Sequence, residues 1–155
     1  MRLRALLDSP DAFGSTYAAE ADRTDAMWAG RISAATSSGQ DRVLLARHRE
    51  EVCGLVWCKL STDAPTVANL FQMWVDPASR GMGAGRALLE EAIAWAEGLG
   101  ARRVCLGVTV AETPAMHLYL ACGFRPSGRT EPLREDSRLA VQPMSLAVGS
   151  DRIKA

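Results

Sequence analysis

The sequence has no surplus of charge: its 18 Lys and Arg are matched by 18 Asp and Glu. A chain without a basic excess cannot neutralise a run of phosphates, so nucleic acid is not an expected partner. Long hydrophobic runs are also missing. The apolar trio Ala5-Leu6-Leu7 meets Asp8 at once, too short for the core of a signal peptide, and no stretch approaches membrane-spanning length. A cytoplasmic protein that binds no membrane is expected. Metal-ligand spacings are absent too. His48 and His117 lie far apart, and Cys53, Cys58, Cys105 and Cys122 make no CxxC pair. The cysteines read as small core residues in a reduced compartment, and no metal is expected.

What the chain does have is an ordinary globular balance, 48% hydrophobic and 23% charged, in 155 residues. That is enough for one core without staples. We place a single domain over residues 1–149 and a flexible tail over 150–155. Leu3, Leu6 and Leu7 open on helical spacing, and residues 16–36 continue as an Ala-rich helix. Strands are expected at Val43–Ala46, Val52–Leu60 and Thr66–Val75. Gly83–Leu99 is the clearest helix, with Leu88, Leu89, Ala92, Ile93, Ala96 and Leu99 as its apolar stripe and Gly100 as its stop. Val104–Thr109 reads as a strand. Pro114–Cys122 reads as a helix capped by Thr113, and two more strands start at Phe124 and Leu139. The class is α+β (α/β by some schemes), with a mixed central sheet flanked by helices.

The chemistry concentrates between the third strand and the strongest helix, in Val75-Asp76-Pro77-Ala78-Ser79-Arg80-Gly81-Met82-Gly83-Ala84-Gly85-Arg86. Glycines let backbone N–H groups approach a ligand, and a helix N-terminus favours an anion, so a diphosphate is the natural guest. A Walker loop fails because Arg86-Ala87 follows Gly85 in place of Lys-Ser/Thr. A dinucleotide fingerprint counted from Gly81 fails at Arg86. Arg80, Gly83 and Gly85 do satisfy Arg/Gln-x-x-Gly-x-Gly/Ala. Downstream, Ala115, Leu118-Tyr119 and Gly123-Phe124 fit an Asn-x-x-Ala-x-x-Leu-Tyr-x-x-x-Gly-Phe signature except at its first position.

Together these two signatures, with Val75-Asp76-Pro77 before the loop, resemble the GNAT acyltransferases over about Val43–Leu146. The resemblance implies the GNAT fold and acetyl-CoA as cosubstrate. It implies that the backbone of Met73, Trp74 and Val75 pairs with the pantetheine arm. Backbone groups of Arg80, Gly81, Met82, Gly83, Ala84, Gly85 and Arg86 would hold the pyrophosphate. The Met73 N–H would serve as oxyanion donor, aimed by a bulge, and Tyr119 would approach the sulfur. It also implies an amine acceptor, a small molecule or a peptide. Family members begin with a strand, whereas this chain opens inside a helical pattern, so that strand is expected to be missing and a sheet edge left open or covered by a second copy. Dimerisation is common in the family.

Two positions depart from the family pattern. Where a carboxylate base often stands, four residues before Met73, this chain has Asn69, which can only orient a water. Where the signature's leading asparagine contacts CoA there is Glu112, read either as a base meeting the amine or as a solvated residue before the helix. Of the four tryptophans, Trp74 is the one expected near substrate, while Trp28, Trp57 and Trp95 are read as packing. Acceptor contacts are expected from Phe13–Ile32 and Ser127–Ser137, which offer Glu20, Asp22, Arg129, Glu131 and Arg134. Two functions fit: N-acetylation of a primary amine, or a non-catalytic module that binds acyl-CoA as a sensor or assembly partner.

Overall fold

The computed structural model describes residues 1–149, so the tail expected at 150–155 lies outside the described residues. Helix α1 (Arg2–Asp8) is followed by a 3-10 turn (Pro10–Ala12), α2 (Tyr17–Glu20) and α3 (Asp25–Ser37). Strands β1 (Asp41–His48), β2 (Glu51–Leu60) and β3 (Val67–Val75) form an antiparallel meander. Then come α4 (Ala84–Gly98), β4 (Arg103–Thr109), α5 (Pro114–Ala121), the short β5 (Arg125–Pro126) and β6 (Glu131–Pro132), and β7 (Ala140–Ala147).

The sheet runs β1-β2-β3-β4-β7-β5, with β6 also on β7, and β3–β4 is its parallel pair. Residues before Asp8 form helix, and β1 is the edge strand at that end. The single helix expected over 16–36 is two. Thr16 and Thr24 both leave helical geometry and cap the amides of Ala19 and Met27 through their hydroxyls, so the second cap restarts the helix at Asp25. The β1–β2 turn places Arg49 and Glu50 at positive φ, the conformation that matches the twist of a two-residue hairpin.

Alternation along β2 and β3 sorts the chain into two cores. Val56, Cys58, Leu70, Val104, Phe124 and Met144 face the apolar stripe of α4, where Leu88, Leu89, Ala92 and Ile93 are buried. Leu55 and Trp74 face the other way, onto Ala5, Leu6 and Phe13 from the N-terminal segment. Helix α1 therefore covers one end of the opposite face of the sheet and leaves the remainder open as a cleft.

Candidate active site

Two irregularities in β3 build the site. Leu55 pairs with Trp74 but Trp57 pairs with Phe71, so β3 carries an extra residue opposite Val56, and Gln72 sits there at φ 56. A bulge of this kind inverts the side-chain alternation beyond it. Its effect is visible in Trp74, which joins α1, and in Met73, which packs toward α4, where its methyl lies 3.7 Å from the position of a Cβ on Gly85. The second irregularity is a parting of strands. β3 pairs with β4 only over Val67–Asn69 and Arg103–Cys105, although both strands continue. Past Asn69 the backbone edge of β3 that faces β4 has no partner strand among the described residues, an edge able to accept an extended chain.

The glycine loop closes the end of this gap. Gly81 and Gly83 sit at φ 83 and 87, and Gly83 precedes α4 in the left-handed region. Among the described residues no side chain caps α4, and no acidic residue stands in its first turn, so its first amides are left without side-chain partners. Among the described residues a Cβ at Gly81 or Gly83 would meet nothing within 4 Å, so these glycines answer a conformational need, not packing, and leave the space before α4 open. Arg80 bonds inward, donating from Nε to the Val75 carbonyl at 2.9 Å and from Nη2 to Asp8 at 2.8 Å. The Trp74 indole donates to the same Asp8 carboxylate at 3.0 Å, and Arg4 pairs with Asp76. Hydrogen bonds from Ser9, Trp74 and Arg80, opposed by partial desolvation, hold the Asp8 carboxyl below its ordinary value of 3.8. A polar clasp thus ties α1 to the loop.

A cleft of about 860 Å³ spans the parted strands, and Asn69, Met73 and Tyr119 all line it. Tyr119 enters from α5 with its ring edge-on to Phe124, centroids 6.0 Å apart. Burial pushes its phenol up to about 12. Its hydroxyl has no hydrogen-bond partner among the described residues, yet it is not sealed off, since the buried unpaired polar atoms belong to Arg2 and Arg23. A donor held open toward the gap is the result.

Several expected residues lie elsewhere. Trp74 is 5% exposed in the α1 core, while Trp57 stands on the cleft wall of the same sheet face, because α1 covers the end of that face where Trp74 lies. Glu112 is 94% exposed and holds His117 at 3.0 Å, outside the cleft lining, because it precedes the Thr113 cap with its side chain in solvent. Glu20 is 3% exposed and locked between Arg2 and Arg23 at 3.3 and 3.8 Å. Desolvation opposes ionisation there, but the Arg2 bonds prevail and its carboxyl is lowered. Arg134 bonds the carbonyls of Pro10 and Phe13, bracing the N-terminal segment. Glu131 does line the cleft.

One further residue of the cleft, Asp41, belongs to no sequence motif. It begins β1, is 8% exposed, lines the cleft, and accepts the Trp57 indole N–H at 2.8 Å. A carboxylate beside a strand start carries no motif, and only the ladder brings it to this wall. Among the described residues no group of three or more His, Cys, Asp or Glu could hold a metal, and no helix is long and apolar enough to cross a membrane.

The same architecture recurs in solved structures. A GNAT-family acetyltransferase from Streptococcus pneumoniae superposes with a TM-score of 0.72 at 26% identity, over 83% of this chain and 78% of that one. A protein from Bacillus anthracis str. Ames, described as a streptothricin acetyltransferase in complex with acetyl coenzyme A, shares the fold at 20% identity. Its TM-score is 0.62, over 70% of this chain and 63% of that one. The mycothiol acetyltransferase of Amycolatopsis mediterranei is 32% identical over 91 residues, 55% of this chain and 30% of that enzyme, so the matched stretch spans under a third of its relative. Residues 5–124, which contain the bulged strand, the glycine loop and Tyr119, match the Acetyltransferase (GNAT) family. The chain belongs to that family.

Proposed function

We propose that this protein transfers the acetyl group of acetyl-CoA to a primary amine by direct attack. The observation that carries the reading is the parting of β3 from β4 beside an uncapped, glycine-entered α4. The gap offers a strand edge to the pantetheine arm, and the helix N-terminus offers amides to the pyrophosphate. The acetyl-CoA complex of the Bacillus anthracis fold relative supports the choice of cosubstrate. A groove of about 430 Å³ between α4 and α5, bordered by Arg86, Ala121 and Cys122, continues the path for the rest of CoA. Four free cysteines suit a reduced, cytoplasmic setting.

In the reaction, the lone pair of a neutral amine attacks the thioester carbonyl carbon. The charge developing on oxygen is received by the Met73 N–H, which the bulge presents. The C–S bond then breaks, and the Tyr119 hydroxyl hydrogen-bonds the departing thiolate. The ammonium proton leaves to a water oriented by Asn69. Release of free CoA from acetyl-CoA across a panel of amines tests the proposal. Amine-dependent release with mass-detected acetylation is expected. Binding of acetyl-CoA with no release for any amine would favour the acyl-CoA-sensing alternative.

A further inference from the structure

Cross-strand partners carry one row of polar residues over the open face of the sheet. Asp41 pairs with Lys59, Lys59 with Asn69, and Asn69 with Cys105. Cross-strand partners share a face, so this row looks into the cleft, and all four residues line it. Asp41 stands out within it. A carboxylate this buried is normally matched by a cation. Among the described residues no Lys, Arg or His nitrogen lies within 4.0 Å of it, and the one hydrogen bond recorded to its carboxylate is the neutral indole N–H of Trp57. Lys59, its ladder neighbour, is exposed and makes no ion pair among the described residues.

We propose that Asp41 binds a cationic nitrogen of the acceptor, and that this nitrogen is not the one acetylated. The inference rests on the acetyl transfer proposed above and names the substrate class: an extended diamine or longer polycation. The ladder excludes a role for Asp41 at the reacting nitrogen. Two strand spacings separate Asp41 from Asn69, about 10 Å, and Met73 lies four residues further along β3, so the diagonal is about 15 Å between Cα positions. Side chains shorten that distance but do not close it. A ligand with one nitrogen at the parted strands and another at Asp41 therefore spans roughly 10 Å. The Trp57 indole bond holds the carboxylate in place, and the aliphatic stretch of such a ligand would lie between the two ends, near Phe71 and Trp57, which line the cleft. Lys59 lies beside this path and the Arg31 guanidinium stands over the Trp57 ring, 6.0 Å from its centroid, so the charges of both oppose the guest.

The test compares octylamine with the eight-carbon α,ω-diamine, which differ only in the second cation. In the wild type, kcat/KM should favour the diamine by about tenfold or more, the value of a charge-assisted bond. Asp41→Asn still accepts the indole N–H and should abolish that preference. Trp57→Phe keeps the carboxylate and should retain it. Lys59→Met should tighten diamine binding by about two- to fivefold, since it removes a like charge near the surface. Calorimetry with the unreacted diamine and CoA lacking its acetyl group reads the same site without turnover. Diamine binding that Asp41→Asn weakens, in a protein that releases no CoA, would sink the acetyl transfer and leave the subsite standing. A preference absent in the wild type, or unchanged in Asp41→Asn, overturns the subsite. So does Lys59→Met acting like Asp41→Asn, because Lys59 would then be the cation that Asp41 serves.

Discussion

Replacing Tyr119 by Phe separates two accounts of how the thiolate leaves. If Tyr119 donated its proton outright, the transfer would run from a phenol near 12 to a thiol of about 8.5, a gap of about 3.5 units, uphill by about 5 kcal/mol. Burial is what raises the phenol, and the ring contact with Phe124 keeps it buried. A hydrogen bond to a developing charge requires no such transfer and contributes about 1.5–3 kcal/mol. Tyr119→Phe should therefore lower kcat by roughly 10- to 150-fold and leave the KM for acetyl-CoA nearly unchanged. The ring and its packing survive, so the midpoint of thermal unfolding should shift by about 2 °C or less. The pH profile makes the contrast sharper. With the phenol near 12, the wild type should show no descending limb between pH 7 and 10 that belongs to Tyr119. Thioesters with better leaving groups should lose less activity on the substitution. A descending limb in that range that disappears in Tyr119→Phe would refute the reasoning, as would a kcat within threefold of wild type.

The glycine loop is tested by Gly83→Asp, at φ 87 with open space around it: the variant should fold, at a conformational cost of about 1–2 kcal/mol, and lose acetyl-CoA binding by calorimetry. Gly83→Asn, nearly the same size without the charge, should keep part of the affinity, and unchanged binding in Gly83→Asp would remove the loop from the site. Asp8→Ala strands the Trp74 indole and releases Arg80, so it should cost about 1–3 kcal/mol, read as a lower urea midpoint. Because the Asp8 carboxyl is lowered from 3.8, its contribution is complete above that value and fades as pH falls through the lower folded value; wild type and Asp8→Ala should converge in stability there.

Much of this arrangement was legible from residue order because it rests on local rules. The α4 stripe, the Thr113 cap with Pro114 and the loop glycines each act within a few residues. The unreadable parts are consequences of pairing. Nothing about Gln72 announces positive φ, since glutamine has no affinity for that region, and only the β2 register forces it. That one residue sends Trp74 to the face that α1 covers, while the regular alternation of β2 leaves Trp57 on the cleft wall beside it. Asp41 was invisible for a related reason: it lies 28 positions before Asn69, and the ladder brings the two onto one row through Lys59. Glu112 had two readings in the sequence, a base meeting the amine or a solvated residue before the helix, and residue order could not choose; the structure shows its side chain in solvent against His117.

The fate of the ammonium proton ties these placements together. Glu20 is held between two arginines, Glu112 points to solvent, and Asp41 lies too far along the diagonal, so none can take a proton at Met73. Asn69 faces the cleft, and its neighbour across the strands is Lys59, whose charge disfavours an ammonium there. On the water route an acceptor then supplies its own neutral form. An alkyl amine with pKa about 10.4 is about 4.6 kcal/mol from neutrality at pH 7, whereas an α-amino group near 7.7–8.0 is about 1–1.5 kcal/mol away. Among acceptors of equal length and charge spacing, the one with the lower amine pKa should react faster at pH 7. For each, kcat/KM should climb with pH until it levels at that amine's own pKa. Asn69→Glu supplies a carboxylate but sets it opposite Lys59, so its gain on alkyl amines should be larger when Lys59→Met is added. An ascending limb near pH 6 that stays fixed when the acceptor changes would count against the water route. Glu131 lines the cleft and is paired through Val141 with the Thr109 end of β4, so it would become the base, and Glu131→Gln would have to erase that limb.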